Sequence, residues 1–285
     1  MAYRKVGDLA VREWGDTAGP GILLWPGMGF TSAYFAGSAA LLPSRSVGVD
    51  TPGWGRSPVP SSYSYDQLVG LAAEAIRACD CRAMVGHSLA GDIALGVATD
   101  PPPGLRAVVL VDGGYLEPAD RVALGAPDAA DREAVVAFMR QGEARFPDWE
   151  TARGEIAKFV GTEELTPETE AAFRESLTEI DGEFREVAPP ERAADLLMSI
   201  TSAAIDVRAR AAAVRVPTLL IAAGQPPELR EIKQRAWERF ASASPLIELR
   251  VAEDWGHNAL LANTQECTAV IGAWLSPHLE RRKPC

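Results

Sequence analysis

Five consecutive apolar residues, Ala107-Val108-Val109-Leu110-Val111, run directly into Asp112. Side chains on a strand alternate between its two faces, so a strand apolar throughout needs both faces covered. This run therefore calls for a parallel sheet with helices above and below it. The neighbouring segments agree. Tyr3–Val6 and Leu9–Trp14 flank a Gly7-Asp8 hairpin turn. Gly21–Trp25, residues 46–50 and residues 83–86 read as short strands, the first two closed by Pro26-Gly27 and Pro52-Gly53. Ser64 and Gln67 form a capping box ahead of a helix with Leu68, Ala72, Ala75 and Cys79 on one face. Residues 89–98 read as a buried helix. Strand, helix, strand at this spacing implies right-handed crossovers and helices on both faces of the sheet.

The alternation stops at Asp112 and resumes with strands over 218–222 and 246–251 and helices over 228–240 and 262–275. Between them, residues 113–216 read as helices only: 131–143, 149–159, 166–178 and 191–210. Thr166-Pro167 supplies one of these with an N-cap and a proline at its first position. A helical block of this length between two strands of a sheet is an inserted cap, too long for a connection and too helical for a linker. The expected division is a core of 1–112 and 217–285 with an all-helical cap over 113–216. No internal repeat or low-complexity segment interrupts it.

Charge follows the same division. The formal net charge is -11, and residues 113–216 hold 21 acidic against 12 basic residues. The surplus reads as solvated helix faces or as a lid that disfavours anionic substrates. It argues against nucleic acid and anionic membranes as partners. No apolar run has the length of a membrane span, and none near Met1 resembles a signal peptide. Cys79, Cys81, Cys267 and Cys285 lack zinc-site spacing and read as free thiols of a cytoplasmic protein.

Val85-Gly86-His87-Ser88-Leu89-Ala90-Gly91 lies where a strand should turn sharply into a helix. A serine on such a turn is held clear of the strand end, with the helix N-terminus behind it favouring developing negative charge. Gly86 and Ala90 provide the small neighbours that a close strand–helix approach needs. With Ala90 in place of the second glycine of G-x-S-x-G, the motif resembles the nucleophile turn of the α/β-hydrolase fold superfamily, in the serine branch with a helical cap inserted after strand six. That resemblance spans nearly the whole chain and implies a mostly parallel sheet flanked by helices. Serine at this position disfavours the halide-displacing and epoxide-opening chemistries of the superfamily's aspartate branches and fits acyl transfer.

Three histidines are available as a base: His87, His257 and His278. His257 follows the last strand and matches the family's catalytic histidine. His87 adjoins Ser88 but its side chain should diverge from it, and His278 lies in the C-terminal tail. The resemblance leaves the acid open. Its common place, after strand seven, holds Ala223-Gly224-Gln225-Pro226-Pro227-Glu228, with Pro227 where an aspartate is usual. The alternative place, the end of strand six, holds Asp112. Asp112 is preferred, Glu228 is the alternative, and Glu117 stays among the others. The loop Trp25-Pro26-Gly27-Met28-Gly29 stands at the family's His-Gly loop with Pro26 for histidine, so by position the oxyanion donors are the Met28 and Leu89 amides. Asp50-Thr51-Pro52-Gly53-Trp54-Gly55-Arg56-Ser57 resembles a structural turn of the family.

The expected protein is a cofactor-free serine hydrolase cleaving a carboxylic ester of a hydrophobic, neutral small molecule. Lactonase, thioesterase, C–C bond hydrolase, acyltransferase and non-catalytic binding protein are the alternatives. Apolar cap residues such as Phe138, Met139, Phe146, Phe159 and Phe173 would roof the site. No cofactor or metal is expected. Besides the small-molecule substrate, a second copy of the chain is the partner an exposed apolar cap face would suit.

Overall fold

The computed structural model describes residues 3–16, 19–202 and 204–280. Eight strands form one sheet: β1 (Tyr3–Val6), β2 (Leu9–Trp14), β3 (Gly21–Trp25), β4 (Arg45–Val49), β5 (Cys81–His87), β6 (Ala107–Val111), and, after an insertion carrying three short strands, β10 (Thr218–Ala223) and β11 (Ile247–Ala252). Their spatial order is β1-β2-β4-β3-β5-β6-β10-β11. The first pair is antiparallel and β2 meets β4 antiparallel. From β4 to β11 every neighbour is parallel.

The alternation of side chains divides the core in two. Leu23, Val47, Met84, Val108 and Leu220 point to one face, where Leu68 and Ile76 of the helix Tyr65–Ala78 and Ile93 of the helix Leu89–Thr99 cover them. Ile22, Leu24, Val85, Val109 and Leu219 point to the other, under Ile271 and Leu275 of the helix Thr264–Leu279. All five residues of β6 are buried, as a run apolar on both faces requires. Val6 pairs with Leu9 across the Gly7-Asp8 turn, with Gly7 at φ 54°.

Between β6 and β10 the chain leaves the sheet. The all-helical cap expected there needs correcting. Helices run over Pro118–Ala123, Arg132–Gln141, Trp149–Val160, Pro167–Ser176, Pro190–Thr201 and Val207–Ala212, but β7 (Arg145–Phe146), β8 (Leu177–Ile180) and β9 (Glu183–Glu186) form a separate antiparallel sheet in the order β7-β9-β8. The cause is the turn between β8 and β9. Asp181 and Gly182 both hold positive φ, 53° and 86°, the two-residue hairpin geometry that an Asp-Gly pair favours. The long helix expected over 191–210 is two helices, because Asp206 accepts from the Ala209 amide at 2.8 Å and starts a second one. Among the described residues no helix is long and apolar enough to cross a membrane.

Two glycines let β5, β6 and the first helix after β5 close on one another. A Cβ on Gly86 would stand 2.3 Å from the Ala90 carbonyl oxygen, and one on Gly113 would stand 1.8 Å from that of Ser88. Both obstacles are main chain and cannot swing aside. Gly113→Ala is therefore expected to cost about 3 kcal/mol or more in urea unfolding, the upper range for overpacking. Gly70, inside the helix Tyr65–Ala78 with nothing within 4 Å of an added Cβ, gives the opposite sign. Gly70→Ala should gain about 0.5–1 kcal/mol in the same measurement.

Candidate functional site

Ser88 sits between the end of β5 and the helix Leu89–Thr99 with φ 55° and ψ −124°, a conformation that non-glycine residues rarely hold. Its amide donates to the Val111 carbonyl and its own carbonyl accepts from Gly91, so both neighbours grip the turn. Gly91 packs against Gly113 and Gly114. The glycine one residue beyond Ala90 thus makes the close approach, and the alanine at the motif's last position is accommodated. Leu89 opens the helix, so its N–H has no intrahelical partner. Gly27 abuts the Ser88 Cβ, with Met28 and Gly29 following at the end of β3.

His257 follows β11. Its Nε2 lies 2.9 Å from Ser88 Oγ and its Nδ1 lies 2.7 Å from Asp112 Oδ2. A carboxylate only accepts, so the Nδ1 proton points to Asp112 and the Nε2 lone pair faces the Ser88 hydroxyl. Asp112 is buried immediately after β6, at φ 43°. Four donors converge on its carboxylate: His257 Nδ1, Tyr115 Oη at 3.0 Å, the Ala223 amide at 3.2 Å and Lys233 Nζ at 3.2 Å. Burial works to raise its pKa, but the His257 hydrogen bond and charge, the Lys233 charge and the Ala223 amide outweigh it and hold the carboxyl well below the usual range. Burial and the same negative charge push the Tyr115 phenol up.

The other acids and bases lie elsewhere. Glu228 is exposed on a single turn of 3-10 helix, Pro227–Leu229, and the carboxylate bonded to His257 is that of Asp112. Glu117 ion-pairs with Arg239. His87 is buried and stacked on Tyr34, with its Nε2 2.9 Å from the His257 carbonyl oxygen. That oxygen can only accept, so His87 carries its proton on Nε2. Burial and the nearby His257 hold its pKa down to about 3, which keeps it neutral. His278 packs on Trp274 in the last helix. Cys79, Cys81 and Cys267 are buried free thiols, and Cys285 lies outside the described residues. Among the described residues no cluster of His, Cys, Asp and Glu could hold a metal ion.

Lys233 and Tyr115 were not readable as parts of this site. One lysine in an amphipathic helix carries no mark of a partner 121 residues earlier in the chain. Tyr115, three residues after Asp112, had the only local signal. The loop from Asp50 to Ser57 is structural: Asp50 accepts from the Ser32 and Arg56 amides, and Ser57 Oγ donates to the Asp50 carbonyl.

Between the Met28-Gly29 loop and the insertion lie two adjoining hollows of about 310 and 350 Å³, which share Met28, Gly29, Gly142 and Glu186. Phe146, Phe159 and Phe173 line the first, and Phe138 and Met139 line the second. These are the apolar residues of the insertion that line the hollows. Leu196 is buried in the cap core.

A family model described as the alpha/beta hydrolase family matches residues 22–270. The chain belongs to the alpha/beta hydrolase family. Solved structures similar to it include an E-2-(acetamidomethylene)succinate hydrolase, with TM-score 0.76 and 20% identity over 96% of this chain and 98% of that one. An esterase from Exiguobacterium antarcticum gives TM-score 0.72 and 17% identity over 96% and 98%. The thioesterase domain from the curacin biosynthetic pathway gives 0.71 and 17% over 96% and 97%. At these identities the likeness is one of fold. In this alpha/beta hydrolase family member the carboxylate bonded to His257 lies directly after β6 and pairs with a buried lysine from the helix Arg230–Ala241.

That pair has a measurable consequence. The folded pKa of Asp112 lies below its unfolded value of about 3.9. Its share of stability is therefore present above the unfolded value and lost as pH falls through the depressed folded one. Lys233→Met removes one cause of the depression. The variant should be about 3 kcal/mol less stable than wild type at pH 7, the scale for leaving one partner of a buried pair alone. The gap should persist from pH 7 to pH 4 and narrow only below the unfolded value, as read from urea midpoints at pH 7, pH 4 and pH 2.

Proposed function

We propose that this protein is a cofactor-free serine hydrolase that cleaves a carboxylic ester through an acyl-enzyme. The hydrogen-bonded row Ser88–His257–Asp112 carries this reading. Its polarity suits the chemistry: a neutral imidazole with its lone pair on the hydroxyl can take the Ser88 proton as oxygen attacks the ester carbonyl. His257 then returns that proton to the leaving alcohol. In the second half it deprotonates water, which attacks the acyl group and frees Ser88. Asp112 keeps the tautomer and balances the imidazolium. The Met28 and Leu89 amides are assigned to the oxyanion, since Gly27 brings that loop against Ser88 and Leu89 stands at a helix start.

The phenylalanine-lined hollows favour a substrate with apolar arms. An esterase and a thioesterase domain among similar folds fit acyl transfer. A cytoplasmic setting fits three buried free thiols.

A fluorophosphonate probe should label Ser88, and p-nitrophenyl acyl esters should be turned over. Ser88→Ala should abolish both. Asp112→Asn should lower kcat by about 10³- to 10⁴-fold, the scale for losing the orienting acid of such a row. Glu228→Gln should stay within about twofold, as expected of an exposed side chain. Turnover persisting in Ser88→Ala, or no labelling at Ser88, would remove the reading.

A further inference from the structure

One acid that the hydrolytic row does not use lines both hollows beside the Met28-Gly29 loop. Glu186 is the last residue of β9, and its amide donates to the Ala144 carbonyl, which fixes the main chain there. It lines both hollows, together with Met28 and Gly29 of the loop that follows β3. An arm passing from one hollow to the other crosses this residue. Among the described residues the only other charged one in either lining is Glu155, which ion-pairs with Lys158, and no Lys, Arg or His lines them. The rest of the surface is aromatic, aliphatic, glycine or small and polar.

A carboxyl in such a place is a poor neighbour for a second anion and a good one for a cation. Burial raises the Glu186 pKa, a hydrogen bond with the Ala144 main chain opposes the rise, and the charge of Glu143 adds to it. A cation beside the carboxyl favours its charged form, and a second anion there has no partner.

We propose that Glu186 is a specificity-determining residue, and that the cleft takes esters carrying an amino or ammonium group on an otherwise apolar arm and rejects those carrying a carboxylate. This deepens the esterase reading and rests on it for the reaction, while the choice of ligand stands on the cleft alone. The acidity of the insertion then has a local use at one residue, beyond keeping its outer faces solvated.

Binding decides the question without turnover. Calorimetry on the intact protein at neutral pH would compare hexylammonium, hexanol and hexanoate. Hexylammonium should bind about tenfold or more tightly than hexanoate, the scale of one hydrogen bond to a charged group. Glu186→Gln should largely erase the difference between the two ions. A merely structural role for Glu186 would weaken all three ligands together and leave their order intact. Should Glu186→Gln not fold, Glu186→Asp replaces it and should shrink the preference by drawing the carboxyl back one methylene. Hexylammonium binding no tighter than hexanoate in the wild type, or a preference undiminished in the variants, overturns the proposal. If the preference is found but no ester is hydrolysed, the reaction assigned to Ser88 fails and the ligand class stands.

Discussion

One carboxylate ties together four parts of the chain that lie far apart in the sequence. Asp112 at the end of β6 receives hydrogen bonds from Tyr115 at the root of the insertion, from Ala223 at the end of β10, from Lys233 on the following helix, and from His257 beyond β11. A buried carboxylate with one donor would be costly to keep charged. With four donors, one of them an ammonium, it stays ionised and becomes the point at which these segments are registered. The proton arrangement at His257 follows from it, and the orientation of the imidazole towards Ser88 follows in turn. A second hydrogen bond, from His87 Nε2 to the His257 carbonyl, holds the main chain of the same loop from the opposite side.

The parts of this arrangement that follow from local sequence were legible in it. An apolar run on both faces fixed β6 in the middle of a covered sheet, and the glycine-flanked Ser88 marked the strand–helix turn. Of the three histidines, only His257 stood in the loop directly after the last strand. Asp112 was preferred to Glu228 because Pro227 emptied the usual place for the acid, and the hydrogen bond to His257 falls on Asp112.

What sequence did not reveal depends on distance or on weak amphipathicity. Lys233 and Asp112 meet across 121 residues, and no periodicity records that meeting. The hairpin of β8 and β9 is short, and Glu179, Ile180 and Glu183 are exposed, so an alternation of apolar and polar residues never developed. Its one clear mark was Asp181-Gly182, masked by the good helix formers on the segment before it. Glu186 had no signal at all, because its position in the cleft exists only once that hairpin has formed.

The contact between Gly113 and the Ser88 main chain is made backbone to backbone, with no side chain in between. Gly113 also stands at the root of the insertion between β6 and β10. A side chain at such a junction would act as a cushion, turning about its torsions and absorbing small displacements. Here nothing yields. The insertion and the serine share a rigid bearing, and strain applied to the root of one is handed to the other at the length of an atomic contact.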